Sequence, residues 1–325
     1  MVAAVRVHKY GGPEVLTYED IELPAPGQGQ VRVKHHASGV NFIDTYFRSG
    51  LYPSPAGLPF VSGNEGAGEV TALGPGVTDL KVGDRVGYVV GLGAYAGERN
   101  LAADRAVKLP DSISYEQAAG MMLKGMTVQY LLNRTFKVGK GMNVLVHAAA
   151  GGVGLILCQW AKHIGATVIG TVGSLEKAAI ARAHGCDHAI VYTATDFAGE
   201  VRELTKGAGV PVVYDSVGKA TFEGSLNCLA RRGVLASYGE ASGDPDPIAP
   251  RRLGALGSIF LTHPSLGDYT ATRAELLATA NHLFDMVASR KIRIEISAEY
   301  PLADAARAHA DMEQRRTTGS IVLIP

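Results

Sequence analysis

The stretch that most restricts what this chain can fold into is residues 144–177, VLVHAAAGGVGLILCQWAKHIGATVIGTVGSLEK. It opens as a short apolar run, passes through three alanines and three glycines, and then turns helical. In the helical part Val153, Ile156, Leu157, Trp160, Ala161 and Ile164 fall at i, i+3, i+4, i+7, i+8 and i+11, which makes one apolar stripe. Gly165 supplies the C-terminal stop. A strand, a loop almost bare of side chains, a helix and a second apolar run, in that order, open a doubly wound parallel sheet.

The loop matches the dinucleotide pattern G-x-G-x-x-G, with Ala149, Gly151 and Gly154 at its three special positions and the first of them filled by alanine. Glycine at the second position lets the backbone approach a pyrophosphate, and glycine at the third lets helix and strand pack closely. The helix N-terminus then offers N–H groups and a partial positive charge to phosphates. The end of the second apolar run sets the cofactor preference. An NAD site places Asp or Glu there, about 20 residues after the glycines, to bind the ribose 2′-hydroxyl. Here Gly173 holds that place, followed by Ser174, Leu175, Glu176 and Lys177. An acid would repel a 2′-phosphate, whereas a hydroxyl, backbone N–H groups and an ammonium attract it. Lys177 falls in the first turn of the next helix, where the dipole disfavours a cation by about 0.3–1 kcal/mol. An anion between the two turns that penalty into attraction. The expected cofactor is therefore NADPH rather than NADH.

The alternation continues. Strands are predicted at 143–147, 167–172, 188–192, 210–215, 233–238 and 257–262, with helices at 152–164, 175–184, 196–205 and 219–230 between the first five. This predicts a six-stranded doubly wound sheet in an α/β protein. Residues 1–122 read differently. AAVRVHKYG, QVRVKHHASG, GEVTALG, DRVGYVV and NLAADRAVKLP are short runs bounded by Gly, Pro or Asp. That rhythm predicts a partly open β-barrel. After Pro264 a helix, a strand, a short helix and the final strand SIVLIP are expected to return to the first domain. The domain reading is thus 1–122 with 265–325, and 123–264 as the nucleotide-binding domain.

Composition narrows the partners. The 31 basic and 31 acidic residues cancel, with no long run of one sign, which argues against nucleic acid or a charged membrane surface. No charge-free apolar stretch is long enough to span a bilayer, and the N-terminus lacks a signal peptide's apolar core. Cys158, Cys186 and Cys228 are widely spaced, which fits buried thiols in a reducing compartment. The expected location is the cytoplasm.

A barrel-like first half, an inserted AxGGxG nucleotide domain and a returning tail resemble the medium-chain dehydrogenase/reductase superfamily. GVNFIDTYFRSGLYP, HAAAGGVGLILCQWAKHIGATVIGTVG, VVYDSVG and EQRRTTGSIVLIP resemble its quinone oxidoreductases of the zeta-crystallin type, from end to end. The resemblance implies a GroES-like barrel beside a Rossmann domain. It also implies that Asn41, Phe42, Ile43, Asp44, Thr45 and Tyr46 lie beside the cofactor. From the other domain it adds Thr127, Tyr130, Gly152, Val153, Gly173 through Lys177, Tyr192 and Ser216. Tyr238, Gly239, Glu240, Ala241, Pro264, Ser265, Leu266 and Arg315 complete the set. Glu240 departs from the asparagine expected there, and a carboxylate near a diphosphate is repulsive unless it points away. A homodimer through the sixth strand, in GSIFLTH, is implied as well.

Zinc alcohol dehydrogenases of this superfamily carry a cysteine ligand where this chain has Asn41 and a histidine ligand where it has Asn64. Neutral carboxamides are poor zinc ligands. No cysteine precedes Cys158, and His35 and His36, adjacent on a strand, are expected to face opposite sides. No metal is expected. Alcohol oxidation draws on zinc to form an alkoxide. Without it, a substrate that readily accepts hydride is favoured, a quinone first and a conjugated enone or 2-alkenal next. Asn41, Tyr46 and Tyr52 are the candidate catalytic residues, the tyrosines as donors to a developing oxyanion. No dedicated proton donor is identified, which leaves solvent. A non-catalytic nucleotide- or RNA-binding protein is the reading from another class.

Overall fold

The computed structural model describes residues 1–325, which divide into two compact units. One comprises Met1–Lys124, Thr272–Ala288 and Ile294–Pro325, and the other Gly125–Ala271 with Ser289–Arg293. The second unit therefore runs past Pro264 to Ala271, and the tail returns to the first unit with only a five-residue interruption at Ser289–Arg293.

In the second unit six parallel strands lie in the order His188–Val191, Thr167–Val172, Asn143–Val146, Val210–Asp215, Leu229–Ser237 and Phe260–Thr262. The first strand in sequence is central and the order reverses beside it, which opens a crevice at the carboxyl ends of Asn143–Val146 and Val210–Asp215. Leu145, Ile169, Val213 and Leu235 from four strands pack with Val201, Phe222 and Leu226 from helices into one core. Helices Gly152–Ile164, Leu175–Ala183 and Phe197–Leu204 occupy the predicted places. Asp196 caps the last of these, accepting from Ala198 N and Gly199 N.

Three predicted elements shift at their bounds. The helix expected over 219–230 is Phe222–Cys228, and the following strand starts at once, at Leu229 rather than 233. Leu229 pairs with Val210, the register then slips, and Arg232 takes a left-handed φ of 59°. This is a bulge, and sequence periodicity reads the RRG turn inside it as a break. The sixth strand shrinks to Phe260–Thr262 because Gly257 and Ser258 both take positive φ. A further helix, Pro250–Ala255, precedes it, with proline in its first turn.

The first unit is a curled seven-stranded sheet with a three-stranded one. The main path runs Ile296–Pro301, Ser320–Ile324, Gln30–Val40, Glu65–Leu73, Arg85–Val89, Val107–Lys108, and Glu98–Ala102 adds to Gln30–Val40. The final strand pairs antiparallel with Gln30–Val40, placing Val322 opposite Gly39. His35 is buried and its neighbour His36 exposed, as strand alternation requires, and His36 stacks on Tyr115.

The β-rich reading of residues 1–122 misses two helices, Phe42–Ser49 and Tyr115–Tyr130. The second carries a capping box. Ser114 Oγ accepts from Gln117 N and Gln117 Oε1 accepts from Ser114 N, both at 3.1 Å. Its middle is buried all round, so no apolar stripe marks it in the sequence. The chain passes from one unit to the other inside this helix, after Lys124.

Candidate active site

In the nucleotide unit the loop after Asn143–Val146 turns on Ala148, whose φ is 50°, and Gly151 N donates to Ala148 O at 2.8 Å. A side chain at Gly154 would put its Cβ 2.3 Å from Ala148 O, so the third glycine of the pattern is obligatory. The alanine at the first position has its own match. Ala149 Cβ faces Gly170 on the next strand, where an added Cβ would lie 2.7 Å from it. Gly151 caps helix Gly152–Ile164 without any side-chain acceptor, so the backbone amides around Gly152 and Val153 are not claimed by a capping side chain.

At the end of the second strand Gly173 leads into Ser174, which caps Leu175–Ala183 by accepting from Lys177 N at 3.2 Å. Lys177 is thereby fixed in the first turn, while Leu175 and Glu176 are exposed. Tyr192, after the third strand, brings its hydroxyl within 3.4 Å of where a Gly173 Cβ would stand. The loops after the fourth and fifth strands are joined: Tyr238 N donates to Asp215 O and Ala241 N to Ser216 O, and Gly239 packs on the Ser216 backbone. Glu240, the departure from the expected asparagine, has its Oε1 3.9 Å from His263 Nδ1. Tyr130 donates to Pro264 O at 3.3 Å and stacks on Tyr269 with ring centroids 4.3 Å apart. Burial raises the Tyr130 phenol's pKa, keeping it protonated. Thr127 is buried one turn earlier, and Ser265 and Leu266 open the short helix Leu266–Tyr269.

In the first unit Asn41 is the N-cap of Phe42–Ser49, and Asp44 returns the contact by accepting from Asn41 N at 2.8 Å. Around this turn lies a buried polar cluster. Asn41 Nδ2 donates to Glu65 Oε1 at 2.8 Å, Lys124 Nζ to the same oxygen at 3.1 Å, and Leu123 N to Glu65 Oε2 at 2.6 Å. Asp44 accepts from Asn64 Nδ2 at 2.7 Å and from the Tyr95 hydroxyl at 3.0 Å, and His309 and Arg48 continue the chain. Burial pushes the Asp44 carboxyl up to about 6, against the pull of the Asn64, Asn41 and Tyr95 hydrogen bonds. Burial and the Arg48 charge push His309 down to about 3, so it is neutral. Tyr46 and Tyr52 meet edge-on at 5.3 Å, and Phe42, Ile43 and Thr45 share the helix with Tyr46. Arg315 follows helix Ala305–Glu313 with φ 58°, exposed, while Arg316 donates to Asp311 at 2.8 Å.

A GroES-like barrel with an inserted Rossmann unit defines a medium-chain dehydrogenase/reductase. Residues 27–138 match the alcohol dehydrogenase GroES-like domain and residues 152–281 the zinc-binding dehydrogenase model. A quinone oxidoreductase of Pseudomonas aeruginosa is 53% identical over 100% of both chains. A 2-haloacrylate reductase of Burkholderia sp is 49% identical over 100% of this chain and 99% of its own. The crystal structure of Escherichia coli quinone oxidoreductase complexed with NADPH superposes with a TM-score of 0.97 at 47% identity, covering 99% of this chain and 100% of that one. The chain belongs to the quinone oxidoreductase family.

The zinc in the name of one matching model does not suit this chain's residues. Where a ligand set would form stand two carboxamides, Asn41 and Asn64, and the nearby carboxylate of Glu65 is already held by an ammonium. A dication would have to displace Lys124 against like-charge repulsion. Lys124 and Tyr95 escaped the sequence reading. The signal for Lys124 is a lone cation inside the apolar run AAGMMLKGMTVQYLL. Tyr95 and His309 carry no such mark, because their partners are distant in sequence.

Proposed function

We propose that the chain is an NADPH-dependent quinone reductase that works without a metal. The observation that carries this reading is the cofactor loop: a strand, the Ala149–Gly151–Gly154 turn and a helix with no side-chain N-cap, followed by Gly173, Ser174 and Lys177 in place of an acid. The amides of Gly152 and Val153 hold the diphosphate, Ser174 and Lys177 hold the 2′-phosphate, and Gly173 with Tyr192 flanks the ribose. Ser216, Tyr238 through Ala241, Thr127, Tyr130 and Pro264 through Leu266 line the remainder of the nucleotide unit's share. When bound, NADPH supplies the hydride, and the protein's work is to orient, exclude water and offer hydrogen bonds. Among the first unit's residues, Asn41, Tyr46 and Tyr52 are the proposed donors for a quinone oxygen gaining charge. Solvent delivers the single proton that, with the hydride, completes the hydroquinone. Arg315 is assigned to the cofactor as well.

A second reading, reduction of activated alkenes, is favoured by the identity to a 2-haloacrylate reductase, which nearly equals that to the quinone oxidoreductases. Steady-state rates with quinones, 2-alkenals and 2-haloacrylate at equal concentration, each with NADPH and NADH, separate the two. Quinones turned over fastest with NADPH support the first reading, and alkenes turned over far faster overturn it. We assign the protein to the cytoplasm as a homodimer. The strand Phe260–Thr262 is the sheet edge for the second copy, and Phe260 is 60% exposed there. No helix is long and apolar enough to cross a membrane.

A further inference from the structure

Beneath the cofactor loops of the nucleotide unit runs a chain of polar side chains shut off from water. His147, Asp215 and Ser225 have no exposed surface and Thr171 is 1% exposed. Apart from Cys228, the rest of this sheet's core cluster is aliphatic and aromatic, and apolar side chains of the same size would fill the space without the desolvation that polar groups incur.

The hydrogen-bond directions are fixed by counting protons. The Asp215 carboxylate accepts from Val217 N at 2.8 Å, Gly218 N at 3.1 Å, Thr221 Oγ1 at 2.8 Å and Ser225 Oγ at 2.7 Å. Ser225 spends its single proton on Asp215, so its oxygen accepts from His147 Nε2 at 2.9 Å. Burial holds His147 neutral, with the Asp215 charge opposing that effect. Its Nδ1 therefore accepts from Thr171 Oγ1 at 2.8 Å. The Phe197 ring closes the pocket edge-on, 5.0 Å from the imidazole.

The ends of this chain are informative. Thr171 lies two residues before Gly173, His147 directly before the left-handed Ala148, and Asp215 directly before Ser216. Each stands at the root of a different loop assigned to the cofactor. We propose that Thr171, His147, Ser225 and Asp215 form a positioning relay that sets the three loops in register, so that one extended dinucleotide meets all of them at once. The inference rests on the cofactor reading above. Backbone hydrogen bonds between the roots run from His147 N to Tyr214 O and from Ala149 N to Thr171 O, and the relay adds side-chain bonds that join all three. Hydrogen bonds have direction, which apolar packing lacks, and that is what register demands.

The test compares a long ligand with a short one. Dissociation constants for NADPH and NADH are measured with the wild type and with Ser225→Ala, Ser225→Thr and Thr171→Val, alongside adenosine 2′-monophosphate, a fragment that carries only the 2′-phosphate assigned to the Gly173–Lys177 loop. Ser225→Ala should weaken both dinucleotides about tenfold, leave the fragment and the quinone KM unchanged, and be largely rescued by Ser225→Thr. Thr171→Val, which keeps the volume, should act in the same direction and stands in should Ser225→Ala not fold. Equal weakening of fragment and dinucleotide, or no weakening of either, would overturn the relay. A wild type that binds no NADPH would instead overturn the cofactor reading, and the relay with it.

Discussion

Lys177 and Asp44 show how much one side chain's setting decides. Ser174 fixes the first turn of helix Leu175–Ala183, and with it the backbone of Lys177. A charge-assisted contact to a 2′-phosphate is worth about 1.5–3 kcal/mol, so Lys177→Ala should raise the NADPH dissociation constant by about tenfold to a hundredfold and that for NADH hardly at all. Equal effects on both would remove Lys177 from the phosphate site. Asp44 makes a prediction in pH. Its carboxyl sits at about 6 when folded against an ordinary 3.8, so the folded chain holds that proton more tightly. The stability it contributes is complete below the ordinary value and is lost as pH rises through about 6. Two units correspond to on the order of 3 kcal/mol. The difference in unfolding free energy between wild type and Asp44→Asn should shrink by that order from about pH 4 to about pH 7. A difference flat in pH would show that Asp44 does not titrate there. The Gly173, Ser174 and Lys177 pattern was legible in the sequence because five consecutive residues carry it. The Asp44 cluster was not, since Tyr95 and His309 reach it from 51 and, through Tyr95, 214 positions away.

At the scale of elements, the Glu65–Lys124 pair binds strand Glu65–Leu73 to helix Tyr115–Tyr130 at the last residue of the first unit's N-terminal segment. Both side chains are buried, so removing one partner strands the other's charge, at about 3–5 kcal/mol. Lys124→Met should lower the unfolding free energy by about that much. The double variant Glu65→Gln with Lys124→Met should recover much of it, since the uncompensated charge is gone. Additive losses in chemical denaturation would show that the two do not act as a pair. Gly39 belongs to the same device: an added Cβ there would lie 2.1 Å from Ala119 O and 2.3 Å from Glu65 Oε1. The helix itself was hidden from the periodicity because it is buried all round, although its S-x-x-Q cap stood in plain view at Ser114 and Gln117. Phe42–Ser49 falls inside the region whose rhythm reads as β-rich, and eight residues are too short for a helical period to stand out against it.

For the whole molecule, two predictions concern assembly and metal. On the proposed pairing through the exposed sheet edge, Phe260→Glu should leave a monomer in sedimentation velocity, because a strand edge cannot pair across a buried carboxylate. An unchanged sedimentation coefficient would place self-association elsewhere. Prolonged treatment with a strong chelator should leave the quinone reductase rate unaltered, and a loss restored by zinc would contradict the reading of Asn41, Asn64 and Lys124. The parallel sheet and its cofactor turn were determined by sequence alone. Each βα step is local, so hydrophobic period, turn glycines and the charge after the second strand all lie within a few dozen consecutive residues. Tertiary structure decided the rest: the bulge at Arg232, the room that Gly170 makes for Ala149, the ammonium that holds Glu65, and the relay from Thr171 to Asp215. These depend on which distant residues meet when apolar burial brings the strands together, and no period in a linear sequence encodes such a meeting.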